Sequence, residues 1–366
     1  LSLLPDRTVS SETNHLAAQL ARQIESGGPI SVQEFMRIAN AAYYGRGDVF
    51  GAQGDFITAP EISQMFGELV GLWLADIWLR WGKPGPAYFV ELGPGRGTLA
   101  ADALRAMRAF GFEPAPVFVE QSAALRALQS EKIAGVEFAP SLDDLPEDGP
   151  LFIVANEFFD ALPVQQLVCT HAGWRERVVI RDRVERFAAV PGSQPMDHLV
   201  PPDFRNASSP SIYETCPDAG GIMYELSGRL AVQGGAMLVV DYGYSLPGLG
   251  DTLQAVKSHK FADPFENPGE HDLTAHVNFL ELANIARIRG LRVSGPVQQG
   301  EWLVSLGIDA RTAALARSVP DREEELRAAR HRLVDSSEMG GLFKVLAISS
   351  AESPPPAGFA PSTLVS

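Results

Sequence analysis

The stretch Val90-Glu91-Leu92-Gly93-Pro94-Gly95-Arg96-Gly97-Thr98 constrains this chain more than any other. It joins a short apolar run, 87–92, to good helix formers over 98–109. Glycines at a strand-to-helix turn let the backbone pass close to a ligand, and the helix start presents free N–H groups. The same rhythm continues downstream. Apolar runs at 116–120, 136–139, 151–155 and 236–241 alternate with helical stretches such as 123–132 and 221–233. Near-continuous apolar strands alternating with helices predict a parallel sheet buried on both faces, an α/β fold of Rossmann-like type. Two further runs, 291–297 and 343–349, bracket a helical region over 309–333 and predict the closing strands.

At 366 residues the chain exceeds one small domain, and its segments differ in character. Residues 1–85 read as a helical lead-in that caps the ligand site. Leu16, Leu20 and Ile24 recur at helical spacing, and Ser31 with Glu34 makes a capping-box pattern ahead of Phe35, Ile38 and Ala39. A polar loop over 44–58 precedes Pro60, which suits a helix's first turn, and Ile62, Met65, Phe66, Leu69, Leu72 and Trp73 then form a buried helix face. No strand is expected there. The parallel core takes 86–162 and 221–350. Between them, 163–220 reads as an inserted small antiparallel β subdomain, with short strands at 165–170, 174–181 and 185–190 and a loop over 191–217. Loops at strand carboxyl ends surround the ligand crevice, so this insertion is expected to bear on substrate choice. The tail, 351–366, is rich in Pro and Ser and is expected to be disordered.

Charge narrows the partners. Lys+Arg of 30 against Asp+Glu of 45 leaves −15, which repels phosphate backbones, and no basic patch relieves it; nucleic acid is not expected. The same field suits a cationic substrate through long-range steering. Cys169 and Cys216 have no paired spacing, so neither a disulfide framework nor a zinc site is expected. No apolar run reaches membrane-spanning length. Residues 1–14 lack the regions of a secretory signal and the Arg-rich character of a transit peptide. The cytoplasm is the expected address, with the mitochondrial matrix as the alternative if a presequence has been removed. A homodimer stays open.

The turn also speaks to chemistry. Its spacing is G-x-G-x-G, one residue shorter than the dinucleotide fingerprint, and Glu91 lies two positions before the first glycine. A carboxylate there opposes a pyrophosphate but welcomes a sulfonium that carries an ammonium group. S-adenosylmethionine is therefore favoured over NAD. Glu120 ends the next strand, where an acid accepts hydrogen bonds from both ribose hydroxyls. After the fourth strand come Asn156, Glu157 and, three further on, Asp160. Sharing one face of a helical turn, Glu157 and Asp160 would hold a guanidinium by its planar fork; the plainer alternative has Asn156 and Asp160 bracing the loop. Tyr242, next to Asp241 at the end of the fifth strand, is placed to flank a substrate, and His276 to line its channel. His271 and His276, with Glu270 and Asp272, lack metal-ligand spacing, so no metal is expected. Residues 263–269 read as a lid loop. No nucleophile elbow occurs, which disfavours covalent hydrolysis.

Gly54-Asp55-Phe56-Ile57-Thr58-Ala59-Pro60-Glu61-Ile62-Ser63-Gln64-Met65-Phe66-Gly67-Glu68 resembles the signature of the MidA-type methyltransferases, relatives of a mitochondrial complex I assembly methyltransferase. The resemblance continues through 91–99, 156–163, 239–244 (Val-Val-Asp-Tyr-Gly-Tyr) and 272–279 (Asp-Leu-Thr-Ala-His-Val-Asn-Phe), within a span of residues 15–350. It implies a class I methyltransferase sheet that binds S-adenosylmethionine and, in mitochondrial members, methylation of an arginine in a complex I subunit. The family's cofactor pocket falls on Gly93, Gly95, Gly97 and Thr98, with Glu120 for the ribose and Glu61 and Gln64 closing over the methionine end. Asn156 and Glu157 resemble the start of the glutamate-bearing loop of arginine methyltransferases, whose second glutamate has no match here. The reading is thus a protein arginine methyltransferase with Glu157 as first catalytic candidate and Asp160 and Glu61 behind it. The competing reading is a non-catalytic assembly factor that keeps the pocket and grips a client protein.

Overall fold

The computed structural model describes residues 9–45, 58–257 and 260–359. Seven strands make the spine of the main sheet: β1 (Tyr88–Leu92), β2 (Ala115–Val119), β3 (Glu137–Ala139), β4 (Leu151–Asn156), β5 (Gly235–Tyr244), β6 (Arg292–Gln298) and β7 (Phe343–Ser349). They lie in the order β6-β7-β5-β4-β1-β2-β3, and Val277–Asn278 adds a short parallel pairing at the end of β5. From β3 across to β5 every pairing is parallel, whereas β7 runs antiparallel between β5 and β6. All six residues of β4 are buried, as helices on both faces require.

Two apolar layers cover the sheet. On one face, helices Gln64–Arg80 and Thr98–Arg108 bring Phe66, Trp73, Leu99 and Met107 against Phe89, Phe152 and Leu238, with Trp302 and Leu333 from later helices. The two helices cross closely because Gly71 has no side chain: a Cβ there would lie 2.3 Å from the Ala103 carbonyl oxygen. On the other face, Met223, Leu226 and Leu230 of Pro217–Gln233 and Leu282 and Ala286 of Phe279–Ile288 pack on Val90, Ile153 and Val239. The strand order reverses between β1 and β4, which opens a crevice at their carboxyl ends.

A second, antiparallel sheet is built from Gln165–Thr170, Gly173–Arg181, Phe187–Pro195 and Ile212–Thr215. The lead-in also enters it, contrary to expectation: Ile30–Ser31 pairs with Val178 and Val179 as an edge strand, too short to register as an apolar run. Helices Val9–Gly27 and Val32–Tyr44 pack on this sheet, where Leu20, Phe35 and Met36 meet Val164 and Val179. The lead-in therefore serves two neighbours rather than forming one cap. The expected loop over 191–217 is likewise more ordered. Phe187–Pro195 runs on through Pro191 as an outer strand, and Ile212–Thr215 finds its partner in Gln165–Thr170, a pairing that only the folded sheet supplies.

A small sheet of Gln254–Lys257, Lys260–Ala262 and Asp272–Thr274 precedes the helix Phe279–Ile288, whose start is fixed by the Asn278 side chain accepting the Glu281 N–H at 3.2 Å. The 263–269 loop sets Phe265 against Phe35, ring centroids 5.5 Å apart, and so packs on the lead-in helices rather than over the crevice. The tail also departs from expectation. Ser353 Oγ donates to the Gly235 carbonyl at 3.1 Å, Trp73 Nε1 donates to the Ala357 carbonyl at 3.0 Å, and Phe359 packs on the core. Three spaced anchors hold a segment whose composition alone reads as loose; residues 360–366 and the Gly54–Ile57 part of the signature lie outside the described residues.

Candidate active site

The crevice begins at the end of β1. Gly93, Gly95 and Gly97 take φ of 59°, 51° and 70°, the left-handed region that L side chains avoid, and so wrap the turn tightly. The turn is pinned by Gly93 N–H to the Val119 carbonyl at 3.1 Å and Gly97 N–H to the Pro94 carbonyl at 2.8 Å. Helix Thr98–Arg108 starts immediately after. Beneath the turn, Glu91 is only 3% exposed, and its Oε2 has no hydrogen-bond partner among the described residues. Burial pushes its carboxyl up to about 8, opposed in part by the backbone of Ala100.

The opposite wall comes from β4. The Glu157 N–H donates to the Val240 carbonyl at 2.9 Å, and the residue adopts φ of 50°. Its Oε1 accepts the Ala59 N–H at 3.0 Å and Asn156 Nδ2 at 3.2 Å. Burial lifts this carboxyl to about 7, against the pull of the Ala59 N–H and with a further push from Asp160. The short helix Ala59–Ile62 spans the two walls, since Glu61 Oε1 accepts from Thr98 Oγ1 at 2.6 Å while Ala59 holds Glu157. Lys132 Nζ donates to the same Thr98 oxygen at 3.0 Å. Glu61, Glu91, Asn156, Glu157, the Gly93 and Gly95 backbone and Thr98 thus line one cleft.

Other expected site residues lie elsewhere. Glu120 is one bridge away: its Oε1 accepts the Ser122 N–H at 2.7 Å, and Gln129 Nε2 reaches both its Oε2 at 3.5 Å and the Gly95 carbonyl at 2.6 Å. Gln64 is exposed and donates to Glu68 at 3.1 Å instead of closing the cleft. Asp160 and Glu157 do not share a helical face, because residues 157–160 form a bend whose N–H groups turn inward. Asp160 is buried below the cleft, and burial pushes it up to about 6. Tyr242 is buried with its ring edge-on to His276, centroids 5.5 Å apart, and neither lines the cleft. His276 lines a separate small cavity with Tyr244 and Glu281, and its imidazole is held below its usual range by burial and by Lys344. Among the described residues no group of His, Cys, Asp and Glu is arranged to hold a metal ion.

Sequence reasoning missed two groups. Gln129, wholly buried, links the glycine turn to Glu120; a glutamine in a helix of polar residues gives no signal of this. Glu68 gathers Arg311, through Nε at 2.7 Å and Nη2 at 2.8 Å, and Arg105 at 3.1 Å. Burial would raise its carboxyl, but the two guanidinium groups hold it below the ordinary range. This cluster ties the helix under the cleft to a helix more than 240 residues later in the chain.

The sheet order, the glycine turn after β1 and the carboxylates around the crevice define a class I methyltransferase. The buried Glu91 oxygen, the positive-φ glycines and Glu120 after β2 are residues that fit S-adenosylmethionine. Comparisons agree. Residues 69–297 match a family of S-adenosyl-L-methionine-dependent methyltransferases. The chain is 36% identical to the Drosophila melanogaster mitochondrial protein arginine methyltransferase NDUFAF7 homolog, over 94% of this chain and 87% of that protein. It is 36% identical to the human mitochondrial protein arginine methyltransferase NDUFAF7, over 90% of this chain and 82% of that protein. A methyl transferase-like protein from Burkholderia thailandensis, crystallised with S-adenosyl-homocysteine, superposes with a TM-score of 0.83 at 26% identity, covering 98% of this chain and 97% of that one. The chain belongs to this family of S-adenosyl-L-methionine-dependent methyltransferases. These curated relatives are mitochondrial, which departs from the cytoplasmic address expected above. No helix among the described residues is long and apolar enough to cross a membrane.

Proposed function

We propose that the chain methylates an arginine of a protein, with a subunit of respiratory complex I as the client. The observation that carries this reading is Glu157, a carboxylate fixed by Ala59 and Asn156 in the lining of the cleft beside the glycine turn. The relatives named as protein arginine methyltransferases support it. S-adenosylmethionine, when bound, supplies a methyl group on a sulfonium. Arginine remains protonated in proteins, so a carboxylate is needed to align one nitrogen and draw positive charge onto the others. Glu157 performs that alignment, and Glu61, across the cleft, orients Thr98 at the helix start. As the N–CH₃ bond forms and the S–CH₃ bond breaks, the guanidinium nitrogen loses a proton, and Glu157 takes it up. Net charge of −15 steers the cationic client segment inward. The address follows the client: bacterial cytoplasm, or mitochondrial matrix.

The test is transfer of labelled methyl from S-adenosylmethionine into extract of a strain lacking the gene, with mass spectrometry of the labelled protein. Methylarginine is expected. Glu157→Gln is expected to keep S-adenosylhomocysteine binding and lose transfer by roughly 10²–10³-fold, the scale of one preorganised charge contact. Label on another residue type, or full activity of the variant, removes this reading. Tight client capture without any label would establish the assembly-factor role instead.

A further inference from the structure

We propose that Asp241 is a positioning residue for Glu157, its carboxylate shaping the bend that carries Glu157 into the cleft. Asp241 lies in β5, fully buried, beside the carboxyl end of β4. Its Oδ2 accepts three successive N–H groups, those of Phe158 at 3.2 Å, Phe159 at 3.0 Å and Asp160 at 3.3 Å. Its Oδ1 accepts the Tyr242 N–H at 3.0 Å. Successive amides alternate sides in a strand and run along the axis in a helix, so three of them meeting at one oxygen demand a sharp curl.

The curl starts at Glu157. That residue is anchored on its amino side by its own N–H to Val240 and on its carboxyl side by the Asp241 ring of bonds. Between these anchors it takes φ of 50°, a conformation an L residue with a side chain adopts only where surrounding bonds impose it. Asp241 has no hydrogen bond from a lysine or arginine among the described residues; the four N–H groups take the place of a counter-ion. Burial and the nearby Asp160 and Glu157 raise its carboxyl well above the usual range, while those N–H bonds oppose the rise. An acid placed at such cost acts here through geometry, with the side chain of Glu157 as its output.

This inference rests on the reading of Glu157 given above, and the test separates the two. Asp241→Asn preserves size but puts an NH₂ where an oxygen met N–H donors, so donor faces donor. The expected result is methyl transfer into the gene-deleted extract reduced at least about 30-fold, with the S-adenosylhomocysteine dissociation constant within about threefold of wild type. The double variant Asp241→Asn/Glu157→Gln is expected to be no slower than Glu157→Gln alone, because both act through one group. Unimpaired transfer in Asp241→Asn, additive losses in the double variant, or a collapse of S-adenosylhomocysteine binding would each overturn the assignment. A fully active Glu157→Gln instead overturns the Glu157 reading. Should Asp241→Asn not fold, amide exchange on the wild-type chain decides. The Phe158, Phe159 and Asp160 amides are expected to exchange at least about a thousandfold more slowly than free peptide, and fast exchange at any of them overturns the proposal.

Discussion

Binding of S-adenosylmethionine is expected to expel a proton from Glu91. Burial holds that carboxyl at about 8 in the ligand-free cleft, so at pH 7 roughly nine chains in ten carry the proton. A sulfonium and an ammonium group brought beside the unpartnered Oε2 favour the ionised form. Full ionisation on binding then releases about 0.9 proton per chain at pH 7, about 0.5 at pH 8 and about 0.1 at pH 9. Titration calorimetry in buffers of different ionisation enthalpy reads this number directly, as the slope of apparent heat against buffer enthalpy. S-adenosylhomocysteine, which lacks the sulfonium charge, is expected to give a smaller slope at the same pH. In Glu91→Gln the slope vanishes. A wild-type heat at pH 7 that is independent of buffer refutes the placement of a cation next to Glu91, as does a slope that survives in the variant.

Other perturbations follow from the same geometry. Glu91 and Glu157 both have raised carboxyls, so the folded chain binds more protons than the unfolded one between about 4.5 and about 8, and ligand-free stability falls as pH rises through that window. Glu91→Gln is accordingly expected to melt above wild type at pH 8.5, with the gap narrowing toward pH 5 in thermal scans. Gly93→Ala puts a Cβ 3.0 Å from Phe158 Cδ2 at φ of 59°. The left-handed backbone alone costs about 1–2 kcal/mol, which for a chain of this length lowers melting by about 1–3 °C; an unshifted transition contradicts the strained turn. Glu68→Gln removes the charge shared by Arg311 and Arg105. Because both arginines are partly exposed, the expected loss is only about 1–2 kcal/mol. With its carboxyl held below normal, Glu68 stabilises above the unfolded pKa and loses its contribution as pH falls through the lowered folded one, so the gap between wild type and variant in urea melts should shrink as the pH is taken below the ordinary glutamate range.

The core of the fold was legible because its signals are local. β1, the glycine turn and the following helix are one continuous stretch, and the buried strands β4 and β5 are apolar throughout. Elements defined by their partners left no such mark. Ile30–Ser31 is a strand only because Val178 and Val179 lie beside it, and Ile212–Thr215 only because of Gln165–Thr170. The site divides in the same way. Glu91, Glu157 and Glu61 were readable from their positions at strand ends or in a dense motif, and all three line the cleft. Three-residue spacing alone pairs Asp160 with Glu157 on a helical turn, whereas Asp241 draws the intervening amides into a bend, which leaves the loop-bracing alternative for Asp160. Gln129 and the partners of Glu68 are contacts across the chain, and spacing carries no information about them.

The packed stretch 351–359 has a consequence for how this protein fails. Every strand of the main sheet and every residue of the cleft precedes it, yet its carbonyl groups receive Arg292 at Ala351, Arg80 at Pro355 and Trp73 at Ala357. It works as a clasp, fastening the outer strand β6 and the helix Gln64–Arg80 after the sheet is complete. A premature stop codon after residue 350 would leave the catalytic inventory intact and open that clasp. Such a product would be lost to proteolysis and low abundance, with the chemistry of each surviving molecule unchanged.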